Sequence, residues 1–200
     1  MNGNRKSTTT NAATPTASDR LLDGDLHQLL SAAPADFRAL LQFGIQTGLR
    51  PRELTELRKD DCIIDGVGQP HVQVRPHKTA RSDRPPGSRT VPLCPDAHDI
   101  LKRQMEAHPD SLLVFLDARG APYTQYSFKN RLVRLCKQAG LSKTYNPSCL
   151  RRTFAGILMD AGAEVTTLSR IMGHMTTRTM ERYVSNTPTR NRHRKGVSGL

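Results

Sequence analysis

The sequence predicts an α+β fold that is mainly α with a small three-stranded antiparallel β-sheet. Two observations predict it. Leucine-rich segments with helical spacing occupy both halves of the chain, and three short segments containing Ile and Val lie between them, separated by turn-forming residues. An apolar fraction of 36% over 200 residues supports a single packed core. We therefore expect one domain flanked by polar tails.

The ends of the chain differ in composition from its middle. Residues 1–19 are rich in Thr, Ala, Asn and Ser and carry almost no large apolar side chain. Such a segment buries too little surface to offset the entropy of ordering, so we expect a disordered N-terminal tail. The folded domain is expected over residues 20–186, and residues 187–200 form a basic C-terminal tail.

Three helices are expected before the sheet. Leucines with helical spacing between residues 22 and 30 predict the first helix, and the second follows Pro34. Gly48 predicts the end of the second helix, because glycine readily adopts the left-handed conformation that closes a helix. Pro51 is typical of a first helical turn and predicts a third, short helix that ends near Leu57.

Strands and further helices follow in order. The predicted strands lie at residues 62–64, 71–74 and 90–93, with a long loop over residues 76–88, and residues 112–116 form either a strand or a buried extended run. Helical spacing then returns, and the expected helices cover residues 96–107, 126–139, 148–161, 164–172 and 176–183. The helix at residues 126–139 is amphipathic and basic.

The charge balance points to a polyanionic partner. Thirty Lys and Arg residues face 18 Asp and Glu residues, a net charge of +12. The basic residues are clustered in tracts at residues 75–89, 129–137 and 190–195. Several separate basic tracts suit a surface that follows a phosphate backbone, and we expect double-stranded DNA as the partner.

Cysteine usage and hydropathy indicate the compartment. The sequence contains no CxxC pair, which favours free buried thiols in a reducing environment over disulfides or a zinc site. The cysteines are Cys62, Cys94, Cys136 and Cys149. The N-terminus has no apolar signal region and no segment approaches a membrane span. We expect a cytoplasmic, nucleoid-associated protein that uses no membrane and no metal.

Four residues form a constellation suited to phosphodiester chemistry. Arg50 lies in TGLRPREL, Arg151 lies 101 residues later in NPSCLRRTFAG, and His174 and Tyr183 follow at intervals of 23 and 9 residues. Singly, each has an ordinary interpretation as a surface charge, a turn cap or a half-buried aromatic residue. Together, two arginines and a histidine can neutralise a phosphate without a metal, while the tyrosine supplies a nucleophile.

This order and spacing resembles the catalytic domain of tyrosine site-specific recombinases, the phage integrase family, over about 165 residues. The resemblance implies the DNA breaking-rejoining fold of that family. It also implies that Tyr183 attacks a DNA phosphate to form a 3′-phosphotyrosyl link, that Arg50, Arg151 and His174 stabilise the transition state, and that Lys78 protonates the leaving 5′ oxygen. The reaction needs neither ATP nor another cofactor.

Further residues enter through the same resemblance. Glu53 is expected to orient Arg50. The family usually has a histidine or lysine three residues before its second arginine, and this chain has Ser148, which brings a hydroxyl but no charge. Losing one such donor costs about 10²-fold in rate, for which His77 or Arg152 could compensate. Further expected DNA contacts are Arg81, Arg84, Arg131, Arg134 and Arg152.

The resemblance also implies an assembly, and alternatives stay open. Family members act as tetramers on DNA and usually carry an N-terminal helical domain, for which the tail of about 20 polar residues is too short. We expect either an excised catalytic domain or a short, single-domain recombinase, and in both cases weak, salt-sensitive DNA binding. One alternative is a type IB topoisomerase, which shares an Arg-Lys-Arg-His-Tyr set. The other is a recombinase-like protein that binds DNA with weak or no cleavage.

Overall fold

The computed structural model of the chain describes residues 20–75 and 88–173. This part contains helices and one sheet in the predicted proportions, so the predicted fold class is confirmed. The helices are α1 Asp23–Ala32, α2 Ala35–Thr47, α3 Pro51–Thr55, α4 Pro95–Ala107, α5 Gln125–Gln138, α6 Ser148–Asp160 and α7 Val165–Met172. The strands are β1 Cys62–Ile63, β2 His71–Val74 and β3 Arg89–Pro92, and a 3₁₀ turn covers Lys59–Asp61.

The sheet is a small antiparallel meander in the order β1-β2-β3. Val72 pairs with Val91 and Val74 pairs with Arg89. Because side chains alternate along a strand, Arg89 lies on the same side of β3 as Val91, which is fully buried. The sheet therefore turns an arginine toward the protein at the start of β3.

Helix α2 lies at the centre of the core and packs against α4 and α6. Its buried residues include Phe37, Leu40, Leu41 and Phe43. At Gly44 an added Cβ would come within 2.9 Å of both Leu150 on α6 and Leu54 on α3. The glycine thus permits a close approach of three helices, which brings the end of α2 next to α6.

The end of α2 leads directly to the predicted site. Gly48 adopts φ 63° and its N–H bonds to the Gly44 carbonyl at 3.0 Å, so the predicted helix stop is confirmed. Arg50 is the N-cap residue of α3, and Pro51 occupies its first turn as predicted. Arg50 therefore lies in the short connection between the end of α2 and the start of α3, which fixes its position.

Some predicted boundaries were wrong. Helix α3 ends at Thr55 rather than near Leu57, because the backbone of residues 57–59 pairs with that of residues 112–114 instead. The segment 112–116 makes isolated bridges rather than a strand, and only residues 114–116 are buried, because Leu112 is 62% exposed. The predicted helix at 176–183 and most of the loop at 76–88 lie outside the described residues.

The N-terminal end of the described part packs onto α6. Leu21 is buried and its N–H donates to Thr153 Oγ1 at 2.9 Å, while Arg20 forms an ion pair with Asp160 at 2.8 Å. The expected domain boundaries near residues 19 and 186 stay predictions. Across residues 20–75 and 88–173, no helix combines the length and apolar character needed to cross a bilayer.

The cysteines only partly match the predicted burial. Cys136 and Cys149 are buried free thiols, as expected. Cys62 is half-buried and its Sγ lies 3.3 Å from the Arg58 carbonyl. The prediction was wrong for Cys94, which is exposed because it caps the start of α4 at the surface.

Candidate active site

The two arginines of the predicted constellation meet at the C-terminal end of α7. Arg50 donates from Nη2 to the Gly173 carbonyl at 2.9 Å. Arg151 is buried and donates to the carbonyls of Met172 and Gly48, the latter at 2.6 Å. Arg50 and Arg151, which are 101 positions apart in the sequence, thus donate hydrogen bonds to the carbonyls of two adjacent residues.

A third arginine, Arg89, joins them. Its Nε donates to the Ile171 carbonyl at 2.9 Å. Three consecutive carbonyls, those of residues 171–173, therefore each accept a hydrogen bond from a different arginine. The last carbonyls of a helix lack intrahelical donors and carry the negative end of the helix dipole, so three guanidinium groups suit this position.

Arg89 is the site residue that sequence reasoning missed. It appeared only as one charge of the basic tract at residues 75–89. The available signal was the period of two in the predicted strand, which places Arg89 on the same face as the apolar Val91 and Leu93. An arginine on the apolar face of a strand requires a buried partner.

That partner is Glu53. Its carboxylate accepts from both terminal nitrogens of Arg89, at 2.9 and 2.6 Å, and from Nη1 of Arg50 at 2.8 Å. It also accepts from the Arg50 backbone N–H at 2.7 Å, which caps α3. Burial tends to raise the pKa of Glu53, but the hydrogen bonds and charges of Arg89 and Arg50 outweigh it and hold that pKa at about 2. The carboxylate is therefore ionised at neutral pH.

The site keeps an excess of positive charge. Arg50, Arg89 and Arg151 bring three positive charges and Glu53 one negative charge, which leaves two. The Arg50 side chain is 36% exposed and that of Arg89 is 10% exposed. Arg50 is thus the better placed of these two to meet an anion from solvent.

Helix α6 carries the other described residues of the motif around Arg151, NPSCLRRTFAG. Ser148 is half-buried in its first turn, and its N–H donates to Asn146 Oδ1 at 3.0 Å. It precedes Arg151 by three residues, which places both on one face of the helix. Arg152 is half-buried and is turned about 100° from that face. The geometry therefore groups Ser148, and not Arg152, with Arg151.

The basic helix α5 presents its arginines differently. Arg131 donates to Tyr123 Oη at 2.7 Å and to Asp36 Oδ1 at 2.9 Å, and it lies over the Phe37 ring at 4.8 Å from the centroid. It therefore joins α5 to α2. Arg134 is exposed to solvent. That Arg131 and Arg134 contact DNA stays a prediction, and the structure gives Arg131 a structural task as well.

Five predicted site residues lie outside the described residues, and their roles stay predictions. They are Lys78, Arg81, Arg84, His174 and Tyr183. Gly173, which the structure describes, directly precedes His174 in the chain and accepts from Arg50. Within residues 20–75 and 88–173, no group of three His, Cys, Asp or Glu side chains is arranged to hold a metal ion.

Known proteins share both the fold and the sequence pattern. An integrase of the Tn1549 transposon, solved with transposon right end DNA, superposes with a TM-score of 0.70 at 20% identity and covers 86% of this chain and 62% of its own. The XerA recombinase gives a TM-score of 0.68 at 23% identity, over 85% and 61% of the two chains. These likenesses establish the fold.

Sequence comparison identifies relatives and a family. The tyrosine recombinase XerD of Listeria innocua is 29% identical in an alignment of 181 positions that covers 83% of this chain and 57% of that protein. The tyrosine recombinase XerC of Syntrophus aciditrophicus is 26% identical over 74% of this chain and 48% of its own length. The chain thus spans about half the length of these relatives. Residues 19–190 match the phage integrase family, and the chain belongs to that family.

Proposed function

We propose that this chain is the catalytic part of a site-specific DNA recombinase that cuts and rejoins strands through a 3′-phosphotyrosyl intermediate. One observation carries the proposal. Arg50 and Arg151, brought together from two distant motifs, donate to adjacent carbonyls directly before His174 in the chain. The relatives that match the sequence are named tyrosine recombinases.

The proposed reaction is a transesterification. The Tyr183 oxygen attacks the scissile phosphorus and gives up its proton to solvent. The bond to the 5′ oxygen breaks, and Lys78 supplies the proton that makes this oxygen a hydroxyl. The link to tyrosine conserves the energy of the phosphodiester bond. A 5′ hydroxyl from a partner duplex then attacks the phosphotyrosine, restores Tyr183 and completes the exchange.

The charge of the site supports this reaction. A phosphodiester carries one negative charge, and its pentacoordinate transition state carries more on the non-bridging oxygens. The two positive charges left by the three arginines and Glu53 favour that state over the ground state. His174 is proposed to add a donor from the residue after Gly173, and Ser148 a hydroxyl from the face of α6 that carries Arg151.

We further propose double-stranded DNA as the substrate, a homotetramer as the active assembly on it, and the nucleoid as its location in the cell. The residues proposed to contact the DNA are Arg81, Arg84, Arg131, Arg134 and Arg152. The net charge of +12 supports a polyanionic partner. The tetramer is argued from the family, in which two duplexes must be held together for strands to exchange.

The alternatives have unequal support. The relatives named above are recombinases and an integrase, and they give no support to a type IB topoisomerase. A DNA-binding protein with weak or no cleavage is favoured by one observation, the uncharged Ser148 at a position where the family usually has a cation. The retained Arg50, Arg151, His174 and Tyr183 favour cleavage.

Covalent trapping tests the proposal without a known target site. The protein and its Tyr183→Phe variant are incubated with a pool of randomised duplexes that carry nicks, then denatured and examined for protein-linked DNA. We expect an adduct with the wild-type protein and none with the variant, and the trapped strands define a substrate by sequencing. Salt-sensitive DNA binding with no adduct would support the binding-only alternative instead.

A further inference from the structure

We infer that Arg89 is a positioning residue of the recombination site. By binding Glu53, Arg89 leaves Arg50 available to the scissile phosphate. The inference rests on the proposed function. Arg89 lies at the start of β3, outside the sequence motifs around Arg50 and Arg151 and before the segment with His174 and Tyr183.

The contacts of Arg89 direct its guanidinium to protein groups rather than to solvent. Its side chain is 10% exposed. Both terminal nitrogens face the Glu53 carboxylate, and Nε donates to the Ile171 carbonyl. Three of its five N–H groups thus donate to protein acceptors in a nearly buried position, which favours a role exerted through Glu53 and Ile171.

The first group it acts through is Glu53. A buried carboxylate seeks hydrogen bonds on both oxygens, and it lies within reach of Arg50 as well as Arg89. Without Arg89, Arg50 would be the remaining guanidinium in contact with Glu53 and would turn inward to it. With Arg89 present, Arg50 donates a single side-chain hydrogen bond to Glu53, from Nη1, and its Nη2 donates to the Gly173 carbonyl.

The second group is the last turn of α7. Besides the bond to Ile171, the stem of Arg89 lies against Gly173, where an added Cβ would come within 2.8 Å of Arg89 Cδ. Gly173 has φ 62° and is held by Arg50 on its carbonyl side. Arg89 therefore contacts both the carboxylate that orients Arg50 and the turn that immediately precedes His174.

The inference predicts a specific kinetic effect. Misplacing a reacting group by about 1 Å can cost roughly 10²-fold in rate. Arg89→Met should therefore slow adduct formation about 10²-fold at saturating protein, while DNA affinity and its salt dependence stay near wild-type values. Arg89→Lys keeps the charge but not the paired bonds, and we expect an intermediate rate.

A control variant shows whether the loss of an arginine at any helix end slows the reaction. Arg38 also bonds helix-terminal carbonyls, donating to Ala33 at 2.7 Å beyond the end of α1, and its side-chain hydrogen bonds go to Ser31 and Ala33 rather than to the site. Arg38→Met removes arginine–carbonyl hydrogen bonds from another helix end, at an exposed position. We expect it to form adduct at the wild-type rate.

The experiment measures single-turnover adduct formation on a duplex of the sequence recovered by covalent trapping. The scissile position of this duplex carries either an ordinary phosphodiester or an uncharged methylphosphonate. A neutral phosphate analogue has one fewer anionic oxygen for Arg50 to hold. The penalty of Arg89→Met, relative to the wild-type protein, should therefore be smaller on the methylphosphonate. If Arg89→Met does not fold, Arg89→Lys carries the same comparison.

The outcomes separate the two proposals. The positioning role alone would be overturned if the wild-type protein forms an adduct and Arg89→Met does not slow it. It would also be overturned if Arg89→Met slows adduct formation by the same factor on both substrates. A wild-type protein that forms no adduct on any substrate would overturn the proposed function and this inference with it.

Discussion

Glu53 and Arg89 form a doubly hydrogen-bonded ion pair, with N–O distances of 2.9 and 2.6 Å, that joins α3 to the first residue of β3. Both side chains are nearly buried. Breaking a buried pair by removing one partner is costly, because the other charge is then left without compensation. This pair therefore links the stability of the fold to the geometry of the candidate site.

The stability of the protein should depend on the ionisation of Glu53. Its folded-state pKa of about 2 lies below the ordinary value of 4.5, so the folded protein favours the ionised form. The resulting stabilisation is fully present above about pH 4.5 and is lost as the pH falls toward 2. Its upper bound is on the order of 3 kcal/mol.

The measurement is urea unfolding of the wild-type protein and of Glu53→Gln at pH 7, 4 and 3. Glu53→Gln should be less stable at pH 7, and the difference between the two proteins should narrow as the pH falls. A difference that is constant across this range would show that the ionised carboxylate does not supply the stabilisation.

Gly48 should resist substitution more strongly than a glycine with a similar backbone but open surroundings. An alanine Cβ at Gly48 would lie 2.3 Å from Phe154 Cδ1, and φ is 63°. Gly140 has φ 70° and nothing within 4 Å of the added Cβ. We expect Gly140→Ala to cost about 1 kcal/mol from backbone strain and Gly48→Ala at least about 2 kcal/mol more.

Thermal or urea denaturation of both variants measures the difference. Because the Gly48 carbonyl also accepts from Arg151, adduct formation by Gly48→Ala should fall as well, whereas Gly140→Ala should stay active. Equal losses of stability in the two variants would mean that Phe154 moves aside freely.

Two arginines one turn apart on α5 should separate stability from DNA affinity. Arg131→Met leaves Asp36 and Tyr123 without their guanidinium partner and should lower the free energy of unfolding by about 1–3 kcal/mol. Arg134 is exposed, so Arg134→Met should change stability by less than about 0.5 kcal/mol. It should weaken DNA binding and reduce the slope of log K against log salt by about 1.

Chemical denaturation and DNA titrations over a range of salt concentrations provide both readouts. A destabilised Arg134→Met with unchanged DNA affinity would place the DNA interface elsewhere on the protein. An unchanged stability for Arg131→Met would show that the Asp36 cluster contributes little.

Ser148 should limit the rate of cleavage. It shares a helix face with Arg151 but brings no charge, so Ser148→Lys or Ser148→His should raise the rate of adduct formation by up to about 10²-fold. Ser148→Ala removes the hydroxyl and should slow it. A Ser148→Ala variant with the wild-type rate would indicate that the hydroxyl does not assist.

Much of this molecule follows from local patterns in the sequence. Helical spacing of leucines predicted α1 and α2, and Gly48 and Pro51 marked helix ends because their backbone preferences act on the residue itself. The motifs around Arg50 and Arg151 identified the family, since spacing along the chain is a property of the sequence alone. The end of α3 was misjudged because pairing with residues 112–114 is a distant interaction.

The tertiary structure decided which carboxylates and carbonyls the arginines bind. Arg89 and Arg131 read as members of basic tracts, yet each is turned inward to a carboxylate, 36 and 95 residues away respectively. No local period encodes such a partner, because the pairing depends on how α2, α3, α5 and β3 pack. The sequence by itself determined the fold class, the family and the candidate nucleophile. Only the packing of α7 against β3 and α6 decided that three arginines share one helix end, since a guanidinium is buried only where carbonyls and a carboxylate meet it.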